Sequence, residues 1–223
     1  MDITLTKLII GLVSSYLLGS IPTAYIFGRI TKGIDLRKCG SGNLGATNAF
    51  RVLGKTTGTI VLILDVLKGT IAVLSAALLF YSENPTISKN LYICLAAIMA
   101  VSGHNWTIFL KFKGGKGIAT SLGSLIAFSV LIPKFILIVA LIICLWLAIF
   151  LSSGFVSLAS VIASALLPLL AILFQLPKEI IGFVFIIAVF SLIRHKPNIS
   201  RLLQKKESRF NTRAFLSKIF KRS

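Results

Sequence analysis

Carboxylates are scarce in this 223-residue chain, where six Asp and Glu stand against 24 Lys and Arg and only two histidines are present. With no cluster of Asp, Glu or His, the sequence offers no ligand set of the kind that Zn²⁺ or Ca²⁺ takes, so neither a metal nor another cofactor is expected. The three cysteines, Cys39, Cys94 and Cys144, are odd in number and lack metal spacing. A disulfide framework is therefore excluded. Charged residues of both signs amount to only 13%, against 56% apolar residues and a mean hydropathy of +0.94. A soluble domain of this length is far less apolar. Two catalytic signatures are missing as well. Gly117 follows Lys116 where a nucleotide-binding P-loop needs Ser or Thr. The H-x4-D catalytic dyad is absent too, since Phe109 stands five residues beyond His104 and Ser200 five beyond His195.

The chain does contain apolar runs close to the ~20 residues that a ~30 Å hydrocarbon core requires. They cover residues 8–27, 56–81, 91–110, 135–151 and 155–176, with a shorter run at 180–193. The first lacks a cleavage site of the small-residue type and reads as a true span, not a signal peptide. A further run, 118–132, is short and carries Thr120, Ser121, Gly123 and Ser124. Counting it as a crossing gives an all-α polytopic membrane protein with seven transmembrane helices. The whole chain, 1–223, then forms one integral-membrane domain without an internal repeat.

Seven crossings put three unusual segments on one face: 31–55, 111–117 and everything from Arg194 onward. That face holds Arg29, Lys32, Arg37, Lys38, Arg51, Lys55, Lys111, Lys113, Lys116 and ten Lys or Arg between Arg194 and Arg222, nineteen in all. The other face has four, Lys7, Lys89, Lys134 and Lys178. Such a bias marks the cytoplasmic side, so the N-terminus is expected outside and the C-terminus inside. The net charge of +18 is thus largely topological, and nucleic acid is not an expected partner. The basic tail reads as a segment resting on anionic membrane lipids.

The three segments carry the polar chemistry. In GSGNLGATNAFR, Gly40, Gly42 and Gly45 clear side chains from where backbone N–H groups can converge, while Ser41, Asn43, Thr47 and Asn48 add short polar groups. Such a loop can form an anion-binding concavity. Arg51 adds a planar fork able to grip phosphate oxygens in pairs. In FKGGKGIATS, Gly114 and Gly115 lie between Lys113 and Lys116, ahead of a helix expected to start near Ile118. Its amides, its positive helix end and two ammonium groups are expected to point at one anion. In RHKPNISRLL, Arg194, His195 and Asn198 emerge together, with Pro197 expected to end the helix. Asp65 and Lys68, spaced i, i+3 within a span, are expected to pair inward and support the pocket.

GSGNLGATNAFRVLG, DVLKG, GHNWTIFLKFKGGKGIAT, SLAS and RHKPNISRLL, in that order along nearly the whole chain, resemble the motifs of the bacterial acyl-phosphate:glycerol-3-phosphate acyltransferases. The resemblance implies a seven-helix enzyme of the bacterial inner membrane with its active site facing the cytoplasm. It implies transfer of a fatty acyl group from acyl phosphate to the 1-hydroxyl of glycerol 3-phosphate, releasing phosphate and lysophosphatidic acid, the first acylation of phospholipid synthesis. A separate phosphate acyltransferase would supply the donor. By motif match, Ser41, Asn43, Thr47, Arg51, Lys116, Ser157, His195 and Asn198 carry over as pocket residues, with His104, Arg194 and Glu207 in support. One departure is plain: Lys205 stands where the family usually has glycine, two residues before Glu207.

The chemistry of the residues agrees with that implication. Two phosphate-bearing substrates repel each other, and a cationic, N–H-rich face with few carboxylates offsets this. A mixed anhydride carries a good leaving group, so positioning the hydroxyl and stabilising the oxyanion are the main tasks. A donor phosphate oxygen is expected to take the hydroxyl proton, with His195 orienting a substrate. A monomer is expected. The rival readings are a membrane carrier of phosphorylated metabolites, which needs a site exposed alternately to both faces, and a CDP-alcohol phosphotransferase, whose aspartate array is missing.

Overall fold

The computed structural model describes residues 3–80 and 87–210, and every regular element among them is helical. In chain order these are α1 (Ile3–Ser20), α2 (Thr23–Lys32), α3 (Ala46–Leu53), α4 (Lys55–Leu79), α5 (Lys89–Asn105), α6 (Ile118–Leu131), α7 (Phe135–Ser153), α8 (Val156–Leu173) and α9 (Lys178–Leu203). Of the tail from Leu202, read above as lipid-bound, residues up to 210 fold back on the α7–α8 turn, where the Phe210 N–H donates to the Gly154 carbonyl and Arg209 to the Ser153 carbonyl, and residues 211–223 lie outside the described residues.

Six stretches are helical, long and apolar enough to cross a membrane: Leu5–Lys32, Lys55–Leu79, Lys89–Leu110, Phe135–Ser153, Val156–Leu173 and Lys178–Leu203. The seventh apolar helix, α6, has 14 residues. At 1.5 Å per residue it is about 21 Å long, short of the hydrocarbon thickness. Its hydroxyls face protein, because Thr120 and Ser124 are fully buried where α6 packs against α4, α5 and α7. Glycines make that approach close: Gly69 of α4 lies on the backbone of Thr120, and Gly123 of α6 lies on the backbone of Val66. Below them Phe128 packs on Phe135 and Phe183, with ring centroids 5.7 and 5.1 Å apart, at the centre of the largest apolar core.

Two expectations about the spans are corrected. The first span is not one helix over 8–27, because it breaks at Ile21 and Pro22 and resumes as α2. Proline has no N–H, so α1 cannot continue through it unchanged. The last span is not a short run ended by Pro197. Helix α9 is 26 residues long and runs through Pro197 to Leu203. Losing one hydrogen bond is tolerable there, since the flanking residues are held by contacts described below.

The break at Pro22 explains the intramembrane charges. The freed Ser20 carbonyl accepts from Thr107 Oγ1 at 2.5 Å, and the Ile21 carbonyl accepts from Lys68 Nζ at 3.0 Å. Asp65 Oδ1 accepts from Thr23 Oγ1 at 2.6 Å and pairs with Lys68 at 2.8 Å. The ammonium thus sits at the negative end of α1 and the carboxylate at the positive end of α2, so each charge also meets a favourable helix dipole.

Candidate active site

The first motif folds as a turn, a loop and a short helix. A 3₁₀ turn over Leu36–Lys38 is capped by Asp35, and α3 begins after Gly45. Asn48, buried on α3, ties the loop together. Its Oδ1 accepts from the Ser41 N–H at 2.9 Å, and its Nδ2 donates to the carbonyls of Cys39 at 3.0 Å and Leu36 at 3.4 Å. Gly40, at φ +61°, passes so close to Asn48 Oδ1 that no side chain fits. The amide of Asn48 is therefore committed to loop geometry. By contrast, the side chains of Ser41, Asn43, Thr47 and Arg51 make no hydrogen bond among the described residues, and Arg51 is exposed.

In front of this loop Asp35 holds Arg37 bidentately, the shortest contact being 2.7 Å, and both Arg37 and Arg29 lie over the Tyr25 ring. The Arg37 hydrogen bonds outweigh partial desolvation and hold the Asp35 carboxyl down to about 2. The carboxylate is thereby neutralised by its neighbour. A cleft of about 360 Å³ opens here, lined by Arg37, Lys38, Gly42, Lys113 and Gly114 among others, and its free charge is positive.

The second motif differs from expectation in one respect. Helix α6 does start at Ile118, but the Gly114 and Gly115 amides do not face an anion. They donate to the carbonyls of Asn105 at 3.2 Å and His104 at 2.9 Å, at the end of α5. The reason is that the last carbonyls of a helix lack partners of their own. The two glycines form a strap laid across α5, which turns Lys116 toward α9.

Lys116 Nζ donates to Asn198 Oδ1 at 2.6 Å, and Asn198 Nδ2 donates to Glu207 Oε1 at 2.6 Å. Ser157 Oγ reaches the same Glu207 oxygen at 2.9 Å, and Arg201 Nε reaches Oε2 at 2.7 Å. Glu207 thus joins α8 and α9 to the strap. Burial raises its pKa, but the donors from Asn198, Arg201 and Ser157 prevail and the carboxyl stays below its ordinary range. Burial, aided by Arg201, Arg194 and Arg51 against the opposing pull of Glu207, brings Lys116 down to about 8. An anion placed beside it would favour the charged form.

His195 is buried one residue from Arg194, and its Nδ1 lies 2.8 Å from the Ser191 carbonyl. A carbonyl can only accept, so Nδ1 carries the proton and Nε2 presents a lone pair when the ring is neutral. After α9 the chain reverses at Lys205, whose φ of +57° is the left-handed conformation that favours glycine. Lysine holds that conformation here, and Glu207 still meets all three partners. His104 lies against Gly115 of the strap, with Nδ1 3.6 Å from Asp65 Oδ1.

The comparisons with known proteins bear on a site of this shape. The family model described as "Glycerol-3-phosphate acyltransferase" matches residues 9–205. The chain belongs to the glycerol-3-phosphate acyltransferase family. Among its relatives, glycerol-3-phosphate acyltransferase 2 of Moorella thermoacetica is 44% identical over 206 residues, covering 92% of this chain and 99% of the relative. The enzyme of Lactiplantibacillus plantarum is 40% identical, covering 91% of each chain. Among solved structures, PlsY, described as an integral membrane glycerol 3-phosphate acyltransferase, superposes in its glycerol 3-phosphate form. The TM-score is 0.82 at 36% identity, covering 94% of this chain and 98% of that one.

Within this glycerol-3-phosphate acyltransferase, sequence reading had not singled out Arg201 or Trp106. Arg201 was detectable in principle, because Arg194, Asn198 and Arg201 recur every three to four residues and share a helix face. Assuming a helix end at Pro197 concealed that spacing.

Proposed function

We propose that this chain transfers a fatty acyl group from acyl phosphate to the 1-hydroxyl of glycerol 3-phosphate, at a site on the cytoplasmic side of a bacterial inner membrane. One observation carries the reading. Lys116, Asn198, Glu207 and Ser157 come from three separate segments and converge in one hydrogen-bonded chain, beside an Arg51 whose guanidinium is uncommitted. A single anionic group placed at Lys116 would meet cations from several directions, as a phosphorylated acceptor requires. Ser41, Asn43 and Thr47, unbonded at the loop surface, are assigned to the substrates, and so are Gly42, Gly45 and Lys113, which border the loop and the cleft.

In the reaction, the acceptor hydroxyl oxygen bonds to the acyl carbon, the bond from that carbon to the phosphate oxygen breaks, and phosphate departs. The hydroxyl proton passes to a phosphate oxygen of the donor. His195 Nε2 holds a substrate hydroxyl in line and keeps no proton of its own. Lys116 and Arg51 neutralise the phosphate charges that the two substrates bring together.

Seven crossings support this placement. Lys116 opens α6, and through Asn198 and Glu207 it is tied to Ser157 at the opening of α8. Helix α7 puts 19 residues, roughly 28 Å, between Phe135 and that same end. This arrangement favours α6 bridging the two faces despite its length. Impermeant thiol reagents are expected to reach Cys39 and a cysteine at Ser208→Cys only from the cytoplasm, and one at Ser88→Cys only from outside. Labelling of Ser88→Cys and Ser208→Cys from the same side would refute seven crossings.

The carrier reading is tested by removing the membrane barrier. Purified protein in detergent is expected to convert glycerol 3-phosphate into lysophosphatidic acid, whereas a carrier would only move label between the two sides of sealed vesicles and leave it unchanged.

A further inference from the structure

We propose that Arg194 is a positioning residue that sets the strap, and through it Lys116, for the phosphate of glycerol 3-phosphate. The inference rests on the acyltransferase reading above. Arginine at the end of an apolar span would ordinarily serve as a snorkelling anchor, with its head in the interface. Arg194 does something else. Its Nε donates to the Gly115 carbonyl at 2.8 Å and its terminal nitrogen to the Gly114 carbonyl at 2.9 Å. The guanidinium carbon also lies 5.8 Å from the centre of the Trp106 ring, and Trp106 is held edge-on by Phe190 at 5.0 Å.

Both edges of the strap are thereby occupied. The amides of Gly114 and Gly115 are bonded to α5, and their carbonyls are bonded to Arg194 of α9. The face toward His104 is closed as well, since Gly115 lies against the imidazole with no room for a side chain. A two-residue segment fixed on three sides has one geometry, and Lys116 is the next residue. Two carbonyls one residue apart, both accepting from Arg194, match the planar fork of a guanidinium. They do not match the point charge of an ammonium.

Charge anchoring and clamping predict different outcomes for Arg194→Lys. An anchor is satisfied by either cation. The clamp loses one of its two bonds and the ring contact, so Lys116 is no longer held for the acceptor phosphate. That phosphate keeps its charge throughout the reaction, so the loss falls on binding more than on the chemical step.

The test measures kcat and KM for glycerol 3-phosphate, together with thermal stability in detergent, for wild type, Arg194→Lys, Gly115→Ala and the double variant. Arg194→Lys is expected to stay folded, with KM raised about tenfold or more and kcat within about threefold of wild type. Gly115→Ala, with Arg194 in place, is expected to give the same kind of defect by pushing the strap off His104. If the two act through one strap, the double variant is no worse than the poorer single one. Wild-type KM in Arg194→Lys overturns the proposal, and so does a fall in kcat with KM unchanged. Should Arg194→Lys fail to fold, Gly115→Ala decides, and an unchanged KM there is equally fatal. An inactive wild type would instead refute the acyltransferase reading on which the inference rests.

Discussion

Replacing Lys116 by methionine is expected to lower kcat/KM for glycerol 3-phosphate by roughly 10²- to 10³-fold without unfolding the protein, most of it as a raised KM, which is the usual loss when one partner of a buried charge pair is removed. Methionine keeps the length and the apolar stem, so what is lost is the charge. Asn198 Oδ1 loses its donor, but Asn198 Nδ2 still bonds to Glu207, and Glu207 keeps Ser157 and Arg201. A pH profile separates this role from simple packing. With Lys116 lowered by burial to about 8, its cationic form prevails below that pH in the free enzyme. Activity that depends on the cation is present at low pH and lost as pH rises through about 8. In kcat/KM, which reports the free enzyme, a basic limb is expected near that value. Lys116→Arg carries a permanent charge, so whatever activity it retains should show no such limb. Wild-type kcat/KM for glycerol 3-phosphate in a folded Lys116→Met protein would remove Lys116 from the site.

The second large effect is on stability. Asp65→Ala leaves Lys68 buried without its counter-charge and Thr23 without its acceptor. Breaking a buried pair by removing one partner costs about 3–5 kcal/mol. The thermal midpoint in detergent is expected to fall by roughly 10 °C. Adding Lys68→Met should restore part of that loss, because two uncharged side chains need no desolvated partner. Restoration should be incomplete, since the Ile21 carbonyl at the helix break then loses the lysine and keeps only the Thr23 N–H. Asp65→Ala at wild-type stability would contradict the assignment of this pair to the break at Pro22.

How far these features were legible in the sequence depends on what local chemistry could reveal. The chemistry-bearing motifs were readable, and so was the pairing of Asp65 with Lys68, because charges inside an apolar run have few other options. Helix ends and the destination of each hydrogen bond were not. Pro197 reads locally as a terminator, yet α9 continues, since its neighbours Asn198 and Arg201 are fixed by Glu207. The amides of Gly114 and Gly115 look like an anion cradle in isolation, but the open carbonyls of α5 compete for them and are closer. Asn48 was read for its polarity, while its burial commits both ends of the amide to the loop. In each instance the deciding partner lies on another element, which no short window of sequence contains. The departure at Lys205 shows the converse: a single left-handed residue can change identity while Glu207 keeps its position.

The central claim is that one site couples release of the donor phosphate to acylation of glycerol 3-phosphate. The most direct measurement is phosphorus NMR of purified protein in detergent with acyl phosphate, run with and without glycerol 3-phosphate, so that both phosphorus atoms are followed in one sample. Inorganic phosphate and lysophosphatidic acid are expected to appear together in equal amounts, and neither is expected to accumulate when glycerol 3-phosphate is omitted. Phosphate released at the same rate without the acceptor, or glycerol 3-phosphate left unchanged while the donor is consumed, would contradict the claim.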